Sequence, residues 1–150
     1  MGAYNTQDFY RTVIGIRDVA VNDYVCFGGG NSGAHCNIQV TDLSVYWNDG
    51  TGNGTTETIE GVQRTSDEIA AIQGDSGGPV YIRSDNNTAY AVGMIQGYPS
   101  GVTTHTGSGT WPNGCGGAWV YGGNVCVQTV LFTSIRTIIG GVPGSSLVTG

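Results

Sequence analysis

Ser76 lies in the run Gln73-Gly74-Asp75-Ser76-Gly77-Gly78-Pro79-Val80. Glycines on both sides allow a tight backbone turn and leave the hydroxyl unshielded. Such a serine can attack a carbonyl carbon. The amides of Gly74 and Ser76 can then form an oxyanion hole, in which one donor is worth ~3–4 kcal/mol to an acyl-transfer transition state. Asp75, beside the serine, reads as a buried structural carboxylate that needs a cationic partner, and Arg17 and Arg64 are both candidates. An isolated G-x-S-x-G is more often a plain turn between strands. The six residues Gly74–Pro79 followed by β-branched Val80 are much harder to obtain by chance. A nucleophilic serine also needs a base within about 3 Å, oriented by a carboxylate. The chain has two histidines, His35 and His105. No acidic residue follows Asn86 in the sequence, so nothing local would orient His105. Both histidines read as solvated loop residues.

The elements that must position this run are short and rich in β-branched residues. Tyr10–Val21 and Tyr24–Phe27 read as the first strands, followed by Asn37–Asp42, Leu43–Trp47 and Thr58–Thr65, with a turn at Asn48–Gly54. Pro79–Ser84 and Ala89–Gly97 flank Asp85-Asn86-Asn87 like a hairpin. Asn124–Leu131 is a late strand. Only Thr133–Ile139 has helical spacing, with Thr133 or Ser134 placed as its cap. Strands at this spacing with one terminal helix predict an all-β barrel or sandwich over residues 1–150 as a single domain. Tyr98–Gly123 is long for a loop, which marks a functional surface.

The 150 residues carry a formal charge of −6, all five basic residues are arginines, and 27 residues are glycine. Without a basic patch, nucleic acid is excluded as a partner. No apolar stretch is long enough to span a membrane. The four cysteines form two local pairs, Cys26 with Cys36 and Cys115 with Cys126, each bracketing a Gly-rich loop. This local pairing is favoured among the three possible. The spacing does not suit zinc, and disulfides imply an oxidising, extracellular compartment. Two N-x-T sequons, at Asn53 and Asn86, matter only in a eukaryotic secretory host. No metal or other cofactor is called for. Calcium at Asp85 and Asn86 would rest on turn residues alone. The start, MGAYNTQDF, lacks the features of a signal peptide, so a secreted chain of this kind reads either as an artificially started segment or as a piece cut from a longer precursor.

At Gly74–Pro79 the chain resembles the chymotrypsin-like serine proteases, a family that serves as a general template for triad chemistry. It is most similar to the secreted bacterial streptogrisin and α-lytic branch. The likeness extends from about Tyr10 to Ile139. It includes Asp23–Cys26 and Asn31–Cys36 as a short disulfide loop, Val62–Thr65 before the nucleophile, Ala91–Ile95 after it, and Phe132–Ile139 as a closing helix. The resemblance implies the second of that family's two barrels: a six-stranded antiparallel Greek-key β-barrel with a short C-terminal helix. It implies a serine endopeptidase acting on peptide or protein substrate through an acyl-enzyme on Ser76. It places Ala70, Ala71 and Val130 on the pocket floor and Gln73 at the rim, and Ile95, Gln96 and Gly97 on the strand beside bound peptide. No carboxylate awaits a cation there, so apolar side chains are the expected substrates.

Three departures accompany this likeness. The family's histidine and second carboxylate come from a first barrel upstream of everything matched here, so the chain alone is expected to be nearly inactive. Gln96 stands where the family has a serine that touches the triad carboxylate. Phe27 stands where the bacterial branch often has an arginine that pairs with the buried aspartate. The alternative function is a non-catalytic barrel acting as a binding or structural module. A self-sufficient esterase is disfavoured, because an unassisted serine hydroxyl is a poor nucleophile. The expected partners are the missing N-terminal barrel or a second copy, docked on an exposed inter-barrel face.

Overall fold

A computed structural model describes residues 12–48, 55–84, 87–116 and 124–140. The strands are β1 (Thr12–Ile16), β2 (Tyr24–Gly29), β3 (Gly33–Asn48), β4 (Thr55–Gln63), β5 (Ala71–Ile72), β6 (Pro79–Arg83), β7 (Thr88–Gly97), β8 (Cys126–Val127) and β9 (Thr129–Ser134), and the one helix among the described residues is α1 (Ile135–Gly140). The fold is mostly β. Seven strands form one mixed sheet in the order β1-β7-β6-β2-β3-β4-β9, and β5 pairs with β8 in a separate two-stranded sheet.

Apolar residues of several strands supply the main core. Val25 and Phe27 of β2, Ile38 and Val40 of β3, Val92 and Ile95 of β7, and Val130 and Phe132 of β9 are among them. Phe27 and Phe132 meet edge to face at 5.8 Å between ring centroids. Such a pair adds about 0.5–1.5 kcal/mol to what its buried area contributes. Phe27 therefore faces the core and leaves the charge of Asp75 to other partners.

The sheet departs from the purely antiparallel arrangement expected, and the reason lies in the length of β7. On one side β7 pairs with β6. On the other, β9 pairs only with Gly93–Gly97. The vacant first half of that edge, Thr88–Ala91, is taken by β1, which runs parallel to it. β9 also pairs with β4 through Ile59–Val62. A sheet edge left open is a row of unpaired backbone groups, and β1 satisfies that row here.

Other elements differ in their bounds. Asn37–Asp42 and Leu43–Trp47 are parts of one strand, β3, whose irregular register around Asp42 absorbs the expected break. The late strand divides into β8 and β9, so that β8 pairs with β5 and β9 with β4. The helix starts later than its spacing implied, because Thr133 and Ser134 remain in β9. Ser134 does cap it: its Oγ accepts the Arg136 amide at 3.2 Å, as an N-cap side chain should. Residues 49–54 of one expected turn, and Asp85 and Asn86 of the other, lie outside the described residues. Asn87 has a φ of 67°, and the Ser84 amide donates to the Thr88 carbonyl across this turn at 3.1 Å.

Cys26–Cys36 and Cys115–Cys126 are disulfides. The first joins β2 to β3. The second ties the long loop after β7 to β8, above a small core of Ile69, Ile72 and Trp111.

Candidate active site

The loop that carries Ser76 connects β5 to β6 and is held by its own backbone. The Asp75 amide donates to the Ile72 carbonyl at 3.0 Å, and the Gly78 amide to the Asp75 carbonyl at 2.9 Å. Two further bonds fasten it to β7, Gly77 N–H to Ile95 O and Ile95 N–H to Gly78 O, both at 2.9 Å. The turn passes through left-handed backbone, with φ of 98° at Gly74 and 88° at Gly77. At Gly74 a side chain is excluded twice over, since a Cβ would also lie 2.0 Å from Asn31 Nδ2. The sequence places glycine where this geometry requires it.

Asp75 is buried at 1% exposure. Its carboxylate accepts the amides of Asn31 (2.8 Å), Ser32 (3.0 Å) and Ile72 (2.9 Å), together with the Ser32 hydroxyl. Neither arginine expected as its cationic partner is bonded to it. Arg17 lies over the Tyr90 ring at 4.5 Å, and Arg64 donates to Gln39 Oε1 at 2.7 Å. Four neutral donors already occupy the carboxylate's acceptor positions, and such charge-assisted bonds satisfy a buried anion without an ion pair.

Ser76 is exposed, and its hydroxyl donates to the Gln96 carbonyl at 3.1 Å. Among the described residues, the amides of Gly74 and Ser76 donate to no protein acceptor. Both residues line a cavity of about 300 Å³. Ala71, Gln73, Ile95, Gly97 and Val130 line it too, as expected, and Ile72, Asp75, Tyr98 and Val127 complete the wall. Two expected wall residues lie elsewhere. Ala70 is fully buried in the core, with its amide bonded to the Val127 carbonyl. Gln96 turns its side chain away to donate to Thr133 Oγ1 at 2.6 Å. Apart from Gln73 and the engaged carboxylate of Asp75, the wall offers mainly apolar side chains and backbone. Gln73 is itself committed, its Oε1 accepting the Val125 amide at 3.0 Å.

Neither histidine bonds to Ser76. One ring nitrogen of His35, Nε2, meets the Ser32 carbonyl at 3.0 Å, and Nδ1 lies 3.8 Å from Glu68. His105 pairs through its backbone with Cys126 and packs its ring edge to face on Trp111, 4.7 Å between centroids. Both histidines are thus half-buried structural residues rather than solvated loop ones, His35 lying in β3. Among the described residues no cluster of His, Cys, Asp and Glu could hold a metal ion. No helix among them is long and apolar enough to cross a membrane.

No protein-family model matches the chain, and no curated protein is significantly similar to it. The functional reading therefore rests on the site itself.

Sequence reasoning overlooked Asn31 and Ser32 as partners of Asp75, and Ile72 and Val127 as walls of the cavity. Nothing in the sequence links Ser32 to a residue 43 positions away.

Proposed function

We propose that this chain is the nucleophile-bearing barrel of a secreted serine endopeptidase of the chymotrypsin-like type. The observation that carries the reading is a serine hydroxyl on a glycine elbow at the wall of an apolar cavity of about 300 Å³. Ser76 Oγ would attack the scissile carbonyl and pass its proton to a base. The amine would then leave, and water would release the acyl group. The amides of Gly74 and Ser76, free of protein acceptors, suit the developing oxyanion. The base and its carboxylate would come from outside the described residues, on a first barrel or a partner chain. Exposed Ile14, Val21, Tyr24, Leu43 and Tyr46 offer apolar surface for such a partner or for a second copy. In the pairing pattern, the run β7-β6-β2-β3-β4-β9 returns to β7, which supports a six-stranded Greek-key barrel, and two disulfides suit secretion.

The test is chemical rescue of a missing imidazole. The chain is treated with an alkyl fluorophosphonate with and without added imidazole. Labelling at Ser76 should be slow alone, rise with imidazole, and vanish in Ser76→Ala. No imidazole-dependent, Ser76-dependent labelling would sink the proposal. The second reading, a non-catalytic binding module, is favoured by the Ser76 hydroxyl being committed to the Gln96 carbonyl. It predicts binding of apolar peptides with no labelling under any condition.

A further inference from the structure

The Asp75 carboxylate is gripped mainly by two consecutive residues of the β2–β3 turn. Asn31 contributes one amide, and Ser32 contributes its amide and its hydroxyl. The Asn31 side chain also donates to the Gln73 carbonyl at 2.9 Å, so this turn holds the loop both before and at Asp75. Ser32 is 4% exposed and lies outside the cavity wall. The backbone leading into the turn approaches closely: a Cβ on Gly29 would fall 2.3 Å from the Asp75 carboxyl carbon. The strands that carry the turn are joined by Cys26–Cys36, and the Ser32 carbonyl is met by the His35 ring.

We infer that Ser32 is a positioning residue for Ser76, acting through the Asp75 carboxylate from a separate, disulfide-joined turn. The assignment rests on the acyl-transfer reading above for its catalytic meaning, but its structural half stands alone. Of the four donors, three are backbone amides that no side-chain substitution removes. Among the described residues, the Ser32 hydroxyl is the one side-chain donor to this carboxylate. Losing it leaves Oδ2 held by the Ile72 amide alone and loosens that side of the cradle. The backbone that follows Asp75 carries that loosening directly to Ser76.

The experiment compares the wild-type chain with Ser32→Ala and Ser32→Thr in two arms. In the first, amide hydrogen exchange is followed by NMR. Ser32→Ala should accelerate exchange at Asp75, Gly77 and Gly78 by roughly 10- to 100-fold, the range for losing a hydrogen bond to a charged acceptor. The β3–β4 ladder should stay unchanged, and Ser32→Thr should restore the wild-type rates. In the second, imidazole-rescued fluorophosphonate labelling should lose maximal rate by a similar factor, with the reversible probe affinity unchanged. Unchanged exchange in the loop overturns the inference. So does acceleration spread equally over all strands, or loss of the fold, since Ser32 would then support the whole sheet. A Ser32→Thr chain as impaired as Ser32→Ala also overturns it. If wild-type Ser76 never labels, the acyl-transfer reading fails, and the exchange arm still decides the positioning role.

Discussion

Replacing Asp75 with asparagine keeps shape and removes one charge, so it tests how the loop that carries Ser76 is anchored. The two carboxylate oxygens divide their donors evenly: Oδ1 accepts the amides of Asn31 and Ser32, and Oδ2 accepts the Ile72 amide and the Ser32 hydroxyl. An asparagine can keep the first pair on its carbonyl oxygen. Its NH₂ then faces the other two. The Ser32 hydroxyl can rotate to accept, but the Ile72 amide cannot, and it is left opposing another donor. A buried unsatisfied donor costs about 1–3 kcal/mol, and exchanging charged for neutral acceptors loses several tenths to about 1 kcal/mol per bond. Opposing this, the substitution relieves the burial of a charge that has no cationic partner. The four bonds already compensate that burial in the wild type, so the penalty should win, at a net loss of about 2–4 kcal/mol. For a domain of this size that is a fall in Tm of about 5–15 °C. Urea unfolding followed by tryptophan fluorescence measures it, with an unchanged m value as the check on two-state behaviour. A variant as stable as the wild type, or more stable, would refute the reasoning, because burial of the unpaired charge would then outweigh its hydrogen bonds.

Gly29→Ala places a methyl on the Asp75 carboxylate. It should slow imidazole-rescued labelling at Ser76 by about tenfold or more, since small displacements at a reacting centre are costly; labelling at the wild-type rate would show that the close approach is unnecessary. Cys26→Ala with Cys36→Ala should lower unfolding free energy by about 2–5 kcal/mol, read from urea denaturation. The cavity should prefer an alkyl or benzyl fluorophosphonate over one bearing a guanidinium by about tenfold or more in labelling efficiency, because no free carboxylate is available to repay the cation's desolvation. Competition labelling with the two probes checks this, and a preference for the cation would contradict the apolar wall.

Much of the fold was legible. The short apolar and β-branched runs mark β2, β6 and β7 as strands, the two cysteine pairs bracket their own loops, and Ser134 stands where a helix cap belongs. These signals are local: each depends on neighbours a few residues away. What failed to show were features fixed by remote pairing. The parallel placement of β1 depends on how far β9 reaches along β7, and β3 is continuous because β4 pairs with it on both sides of the irregularity at Asp42.

At the site the division is similar. The glycine elbow and the identity of Ser76 were readable from the residues, whereas five of the cavity's walls (Ala71, Gln73, Ile95, Gly97 and Val130) were expected only from the family resemblance. The elbow follows from residue type, because only glycine accepts left-handed backbone at Gly74 and Gly77 without strain. The partner of Asp75 was misjudged, because a sequence advertises charges and conceals backbone donors. Every residue other than proline carries an N–H, so no letter marks the amides of Asn31, Ser32 and Ile72 as special. Sequence alone determined the chemistry available to this chain: Ser76 in its glycine-rich run, the adjacent carboxylate of Asp75, and two histidines. Only tertiary structure decided that the carboxylate is satisfied by a neutral cradle and that both histidines are occupied elsewhere. The reason is that hydrogen-bond geometry is set by where distant strands meet.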